Sequence, residues 1–338
     1  MGVKSFCLKD AMPKEHSETL SLADVDALNL LGVGDRHLKI LEEDFDGRIT
    51  VRGDKVVLTG PRPRVDEMAA VLLDLIELAK TGRAVSEQDV HYALGLRREQ
   101  HGRRLSELEG AVFHTGRGAA VTPKTYGQKL YVEAMDSHDI VFVIGPAGTG
   151  KSFLAIAHGL ALLRERKVER LLLVRPAVEA GESLGFLPGD LQEKIDPYIR
   201  PLYDALTDLV GAVKTKRLIE SGVVEALPLA YMRGRTLNSA YVVLDEAQNT
   251  TMMQMKMFLT RLGNGSQAVI TGDITQIDLE RPESSGLIAA SKLLAHIEGI
   301  RFITLDQNDV VRHHLVRRII EAFEQVEASA RQQQEDPA

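Results

Sequence analysis

The sequence has very little cysteine, no tryptophan and no long apolar run. Its single cysteine, Cys7, excludes an intrachain disulfide and any zinc site built on several cysteines. No apolar stretch reaches the roughly 18 residues that cross a bilayer. Residues 1–15 contain Lys4, Asp10 and Lys14 in place of the apolar segment of a signal peptide. These absences predict a cytoplasmic protein with no membrane partner.

Positive charge is also too scarce for a chain that coats nucleic acid. Lys and Arg total 41 and Asp and Glu total 48, so the net charge of the 338 residues is −7. A local basic groove remains compatible with this balance. The hydrophobic content of 44% is sufficient for a packed core. At about 150 residues per domain, the length predicts two domains.

The first part of the chain predicts a small α+β domain at 21–93, after a leader at 1–20. Apolar residues recur at helical spacing in three segments, and two short β-branched segments flank a turn. The predicted elements are helix, helix, strand, strand and long amphipathic helix, over Leu22–Leu31, His37–Phe45, Arg48–Val51, Lys55–Thr59 and Pro61–Ala79.

A basic, glycine-containing stretch follows. Residues 95–130 hold seven Lys or Arg against three Glu, a local net charge of 7 − 3 = +4. Such a stretch is typical of a solvated linker, and we assign 94–120 to a basic linker.

From residue 121 to 330 the pattern predicts a doubly wound α/β domain, closed by a helix from Asp309 to about Ala330 and followed by a polar tail at 331–338. Short runs of Val, Ile and Leu alternate with helical segments, as expected for buried strands of a parallel sheet. The predicted strands are Ile140–Ile144, Leu171–Val174, Tyr241–Leu244, Ala268–Thr271 and Phe302–Leu305.

A phosphate-binding motif follows the first of these strands. The octet Gly145-Pro146-Ala147-Gly148-Thr149-Gly150-Lys151-Ser152 fits G-x-x-x-x-G-K-[ST] and opens a predicted helix, the context that the motif requires. Glycines let backbone N–H groups surround an anion, and the helix N-terminus adds a positive dipole end. We expect Lys151 to reach the β- and γ-phosphates and Ser152 to bind Mg²⁺. A chance Gly-rich turn is the disfavoured alternative.

Two acids and a glutamine end two later strands. Asp245 is placed to hold Mg²⁺ and Glu246 to polarise the attacking water as general base. A pair of helix-capping acids is the alternative. Gln276 is placed to touch the γ-phosphate or the water, or else lies in a polar turn. One strand, Leu171–Val174, separates the phosphate loop from these acids, and Glu246 then favours hydrolysis over small-molecule kinase chemistry.

Several motifs together resemble the bacterial PhoH-like ATPases. Asp245-Glu246-Ala247-Gln248 and Gly272-Asp273-x-x-Gln276 look like motifs II and III of superfamily 1 helicases, and Gln128 resembles the Q motif that reads adenine. The family segments that match are 175–190, 228–237 and 309–313. The resemblance implies a RecA-like P-loop NTPase sheet, binding and hydrolysis of ATP with Mg²⁺, a homo-oligomeric ring, predicted as a hexamer, and an RNA-related role linked to an endoribonuclease of ribosomal-RNA maturation.

Residues 21–93 resemble the KH-like N-terminal domain of the longer PhoH-like proteins. A KH domain has Gly-x-x-Gly, whereas here Gly32 and Gly34 are followed by Asp35, whose charge opposes a phosphate.

The length leaves no room for a second helicase-like core. Only 338 − 246 = 92 residues follow Glu246. An arginine finger is therefore expected from a neighbouring subunit, with Arg233, Arg235 and Arg312 as candidates. Surface salt bridges are the alternative role of each. Two functions remain open: an RNA-remodelling or unwinding ATPase, and an ATP-gated scaffold that recruits a ribonuclease.

Overall fold

The computed structural model describes residues 15–98, 108, 110–176 and 191–311. The chain forms two compact units, Met1–Glu107 and Leu108–Ala338. The predicted closing helix after Asp309 lies outside the described residues from position 312 onward. Within the described residues, no helix has both the length and the apolar character needed to cross a bilayer.

The first unit is an antiparallel three-stranded sheet covered by helices. Strand order is β1-β3-β2. Leu58, Val65, Leu72 and Leu75 are fully buried, or nearly so, between β3 and the long helix α3. The elements are β1 Glu15–Ser21, α1 Ala27–Leu31, α2 Arg36–Asp44, β2 Arg48–Arg52, β3 Lys55–Pro61, α3 Arg62–Lys80 and α4 Glu87–Arg98.

The structure changes two predicted boundaries. The predicted leader at 1–20 overlaps β1, which pairs with β3 from Glu15 to Ser21. Only Leu20 of β1 is buried, so the sequence of β1 lacks the alternation of apolar residues from which a strand is predicted. The predicted linker at 94–120 overlaps α4, which extends to Arg98, and a hairpin formed by β4 Phe113–His114 and β5 Ala120–Val121. Part of its positive charge is paired, since Arg97 lies 2.7 Å from Asp74.

The second unit is an α/β domain built on a six-stranded parallel sheet with order β11-β6-β10-β9-β7-β8. This is the P-loop NTPase sheet expected from the sequence. After the hairpin, its elements are α5 Tyr126–Ser137, β6 Ile140–Ile144, α6 Lys151–Arg164, β7 Arg170–Arg175, α7 Leu191–Val210, α8 Ala212–Glu220, β8 Val224–Pro228, β9 Ala240–Leu244, α9 Met252–Leu259, β10 Gln267–Gly272, α10 Gly286–Leu293 and β11 Ile300–Thr304.

Helices cover both faces of this sheet, so its central strands are buried on both sides. Along β9, Tyr241 and Val243 pack in the core that includes α6, while Val242 and Leu244 pack in the core that includes α9 and α10. Successive strand residues point to opposite faces, which explains the nearly continuous apolar runs in the sequence.

The number of strands between the phosphate-loop strand and the acidic strand differs from the single strand predicted. Two strands, β7 and β8, separate the motifs in sequence, whereas β10 separates them in space. The strand β8 was not predicted because Glu225 interrupts its apolar residues. The insertion of β10 brings its own carboxyl end between the two motifs.

Candidate active site

The carboxyl ends of β6, β10 and β9 meet at one edge of the sheet. Gly272 pairs with Ile144, and Ile270 pairs with Leu244, so the residues just beyond these strands converge. They line a cavity of ≈ 260 Å³. Of the predicted site residues, its wall contains Ala147, Gly148, Gly150, Lys151, Ser152, Asp245, Glu246 and Gln276.

The phosphate loop, residues 145–152, runs from β6 into the first turn of α6. Gly148 and Gly150 have φ angles of 88° and 76°, a region that favours glycine. A Cβ on Gly145 would lie 2.6 Å from the Leu305 carbonyl oxygen, so this position has no room for a side chain. The 14-residue helix α6 begins at the end of this loop, so its first N–H groups and positive dipole end face the loop. No side chain caps these N–H groups, an arrangement that suits a phosphate.

The Lys151 ammonium lies inside this loop. It donates to the carbonyl oxygens of Gly145 at 2.6 Å and Pro146 at 2.8 Å. The Thr149 hydroxyl also donates to the Pro146 carbonyl, at 2.9 Å. The cation is thus held at the centre of the cradle, where it can offset phosphate charge.

Ser152 and Asp245, the two predicted magnesium ligands, contact each other. The Ser152 hydroxyl donates to Asp245 Oδ1 at 2.6 Å, and the Thr271 hydroxyl donates to the same oxygen at 2.6 Å. Hydroxyl and carboxylate oxygens are the donors that Mg²⁺ prefers, and adjacent ligands of an octahedral ion at ~2.1 Å lie about 3 Å apart. The pair therefore fits a magnesium ion with modest adjustment.

A second carboxylate in the cavity wall strengthens this fit. Asp273 is 5% exposed, and its Oδ1 accepts from the Thr275 N–H and hydroxyl. Its Oδ2 is buried and has no hydrogen-bond partner among the described residues. A buried unpaired carboxylate oxygen is costly, and an ion or an ion-bound water in the cavity would satisfy it. Asp273 belongs to the motif Gly272-Asp273-x-x-Gln276, but the sequence motif alone predicted no role for it.

Glu246 directly follows Asp245 in a left-handed backbone conformation, with φ of 54°. Its Oε1 accepts from Arg175 Nη2 at 2.6 Å, and its Oε2 accepts from Gln248 Nε2 at 2.7 Å. The Gln248 side chain also donates to the Gln276 carbonyl and accepts from the Asp273 N–H. Gln248 therefore links the acidic strand to the loop that carries Gln276, whose side chain is exposed at the cavity.

Gln128 lies behind the phosphate loop, in α5. Its side chain is 3% exposed, donates to the Thr149 carbonyl at 3.0 Å and accepts from the Lys124 N–H at 2.7 Å. In this arrangement the amide nitrogen supports the loop, and the amide oxygen binds the backbone just before α5. The amide keeps a second N–H and a second lone pair, and the adenine readout predicted for Gln128 stays a prediction.

Tyr131, one turn further along α5, adds to this support. Its hydroxyl donates to the Lys151 carbonyl at 3.1 Å. Burial raises the pKa of Tyr131 well above the usual phenol value, so the group is a neutral donor.

The segment after β11 also contacts the phosphate loop. The Val311 N–H donates to the Gly148 carbonyl at 2.9 Å. Asp309 accepts from the Thr125 hydroxyl and fits against Gly127, where a Cβ would lie 2.5 Å from its carboxylate. Burial raises the pKa of Asp309, and the hydrogen bond from Thr125 opposes that shift. Arg312, the next residue after Val311, lies outside the described residues.

The other candidate arginine fingers differ in their surroundings. Arg233 is exposed after β8. Arg235 forms a two-point ion pair with Glu225, at 2.9 and 3.0 Å. Among the described residues, Arg175 at the end of β7 is the arginine that contacts the site's acids, Asp245 and Glu246. In the sequence, Arg175 is notable only as the first residue of the family segment 175–190, of which residues 177–190 lie outside the described residues.

The sequence model of the family described as PhoH-like protein matches residues 120–324. This chain belongs to the PhoH-like family. It is 50% identical over 300 residues to the PhoH-like protein of Bacillus subtilis (strain 168), covering 88% of this chain and 94% of that one. It is 46% identical over 304 residues to the PhoH-like protein of Synechocystis, covering 89% and 92%.

Two further matches cover less of the chain. Protein PhoH of Escherichia coli (strain K12) is 42% identical over 205 residues, covering 60% of this chain and 58% of that protein. A solved structure, the Sulfolobus solfataricus SWI2/SNF2 ATPase core in complex with dsDNA, aligns with a TM-score of 0.35 and 14% identity over 60% of this chain and 49% of that one.

Proposed function

We propose that this PhoH-like protein binds ATP with Mg²⁺ and hydrolyses it at the cavity beyond β6, β9 and β10. The observation that carries the proposal is the 2.6 Å hydrogen bond between Ser152 and Asp245, which joins the phosphate loop to the acidic strand. Lys151, Glu246 and Gln276 line the same cavity. A phosphate cradle, a magnesium pair and a carboxylate base are the parts that phosphoryl transfer to water requires.

Each residue has a distinct task in this proposal. Lys151 and the loop N–H groups bind the β- and γ-phosphates. Ser152 and Asp245 hold Mg²⁺, which would supply charge neutralisation to the phosphates when bound. Glu246 orients the attacking water and accepts its proton, while the Gln276 side chain contacts the γ-phosphate or the same water.

The nucleic-acid role is a separate proposal, supported by family membership and by the motif ending in Gln276. We propose that hydrolysis remodels or unwinds RNA during ribosomal-RNA processing. The alternative is an ATP-gated scaffold that recruits an endoribonuclease, favoured by the net charge of −7. Steady-state ATP turnover with and without single-stranded RNA separates them. A rate that rises severalfold with RNA supports remodelling, and an unchanged rate supports the scaffold.

A homo-oligomeric ring, proposed as a hexamer, completes this account. The candidates for an arginine finger that acts across the subunit boundary are Arg233, which is exposed, and Arg312, which lies outside the described residues. Arg235 is the weaker candidate because Glu225 already pairs with it. Mixing Glu246→Gln subunits with Arg312→Ala subunits tests the shared site. Restored turnover in the mixture supports a finger from the neighbour, whereas additive residual rates contradict it.

A further inference from the structure

Arg175 joins three elements around the candidate active site. Its Nη2 donates to Glu246 Oε1 at 2.6 Å, and its Nη1 donates to the Tyr198 carbonyl of α7 at 3.0 Å. Its Nε lies 3.8 Å from Asp245 Oδ2. The side chain is 18% exposed. One guanidinium therefore contacts both acids that follow β9 and anchors them to a neighbouring helix.

The sheet order makes these contacts possible. Strands β7 and β9 are parallel neighbours, with Val174 opposite Leu244. Arg175 and Asp245 each follow this pair by one residue, so they lie at the same level of the sheet. The planar guanidinium offers five donors in a fixed fork, so it can bind a carboxylate and a carbonyl at once, which a lysine ammonium on a flexible stem does with less directional control.

The contacts fix the plane of the Glu246 carboxylate. Arg175 holds Oε1, and Gln248 holds Oε2 at 2.7 Å. Each carboxylate oxygen has two lone pairs, so both can still accept a hydrogen bond from a water. Glu246 adopts a left-handed φ of 54°, a conformation that is strained for a non-glycine residue and persists only where surrounding contacts hold it.

We propose that Arg175 is a positioning residue for hydrolysis, which acts through Glu246 by fixing the direction of its carboxylate toward the phosphate site. The inference rests on the proposed function, because it assigns the base to Glu246. It also means that an arginine of the same chain serves the site, whether or not a neighbouring subunit adds another. A misplacement of about 1 Å in such a group can cost ~10²-fold in rate.

A purely structural role predicts a different outcome. If Arg175 only ties β7 to α7, its loss lowers stability and nucleotide affinity together with turnover. If it orients the base, its loss lowers turnover selectively, since a group that acts only in the chemical step leaves ground-state binding unchanged.

The experiment compares Arg175→Ala, Arg175→Lys and the control Arg170→Ala in the full-length protein. Arg170 begins the same strand and lies 3.8 Å from Glu225, at the opposite end from the site. For each variant, the Kd of ATP, kcat and the thermal midpoint are measured, and kcat is measured again with millimolar guanidinium chloride, far below denaturing concentrations.

We expect Arg175→Ala to lower kcat by about 30- to 100-fold while the Kd of ATP changes by less than about threefold. Guanidinium should restore at least about tenfold of the loss in this variant and have no effect on the wild type or on Arg170→Ala. The kcat of Arg175→Lys should lie between those of the wild type and Arg175→Ala. Guanidinium should not raise it, since the lysine ammonium occupies the site.

Two results would overturn the inference. One is a kcat within about twofold of the wild type in Arg175→Ala. The other is a joint loss of stability, affinity and turnover without guanidinium rescue. Should Arg175→Ala not fold, wild-type kcat in Arg175→Lys refutes the inference, and a selective kcat loss there supports it.

The Glu246→Gln variant separates this inference from the proposed function. If Glu246→Gln turns over ATP normally, the base assignment itself fails. If it blocks turnover while the Arg175 variants remain fully active, only the positioning role fails. If the base assignment and the positioning role are both correct, adding Arg175→Ala to Glu246→Gln should lower the residual rate no further, because the two residues act in one step.

Discussion

The Thr125 hydroxyl donates a hydrogen bond to Asp309 across 184 residues of sequence, and so joins the start of α5 to the segment after β11. Burial raises the pKa of this carboxyl above its ordinary value of about 4. The folded state therefore binds the proton more tightly than the unfolded state. The contribution of Asp309 to stability is greatest when it is protonated and decreases as pH rises from about 4 through the raised pKa.

Replacing Asp309 with Asn removes this dependence. We expect the stability of Asp309→Asn relative to the wild type to increase as pH rises through that window, whatever the absolute cost of the substitution. Urea unfolding of both proteins at several pH values between about 4.5 and 7.5 measures the difference. A difference that stays constant with pH would show that the carboxyl titrates alike in both states.

The position of Gln128 predicts a general effect on nucleotide binding. Because its amide bonds the Thr149 carbonyl and the Lys124 N–H, Gln128→Ala should loosen the phosphate loop. Loss of one to two hydrogen bonds of about 1 kcal/mol each predicts a five- to thirtyfold weaker Kd for ATP and GTP alike. Glu133→Ala, an exposed change on the same helix, is the control. Weakening confined to ATP would instead support the adenine readout predicted from the sequence.

A glycine in α6 sets how closely this helix packs on the sheet. A Cβ at Gly159 would lie 2.6 Å from the Tyr241 ring and 2.8 Å from Leu171, both buried. Gly159→Ala is therefore expected to destabilise the protein by roughly 1–3 kcal/mol. At Gly95 in α4, no atom of the described residues beyond its chain neighbours and the helix's own backbone lies within 4 Å of the added Cβ, so Gly95→Ala should stabilise by about 0.5–1 kcal/mol. Chemical denaturation of both variants provides the test, and equal effects would contradict the packing argument.

The sequence predicted the parts of the fold that depend on local pattern. Buried strands such as β6 and β9 are continuous apolar runs, and the phosphate loop is a local motif whose residues need only the strand and helix beside it. Strands β1 and β8 were not predicted, because they lie at sheet edges and contain charged residues, so backbone pairing rather than side-chain pattern defines them.

The part of the site that could not be predicted depends on which strands are neighbours. Arg175 and Glu246 are 71 residues apart and meet only because β7 lies beside β9. Asp273 and Gln248 meet because β10 lies between β6 and β9. Sequence order gives none of these adjacencies, so motif residues could be named while their partners could not.

The most direct test of the account compares Lys151→Ala with Glu246→Gln in ATP binding and turnover. Lys151 contributes charge to the bound phosphates, whereas Glu246 acts on the attacking water. We predict that Lys151→Ala weakens ATP binding by at least about tenfold, and that Glu246→Gln keeps the Kd within about threefold while kcat falls at least about 100-fold. Wild-type turnover by Glu246→Gln would contradict the assignment of this cavity as a hydrolytic site with Glu246 as its base.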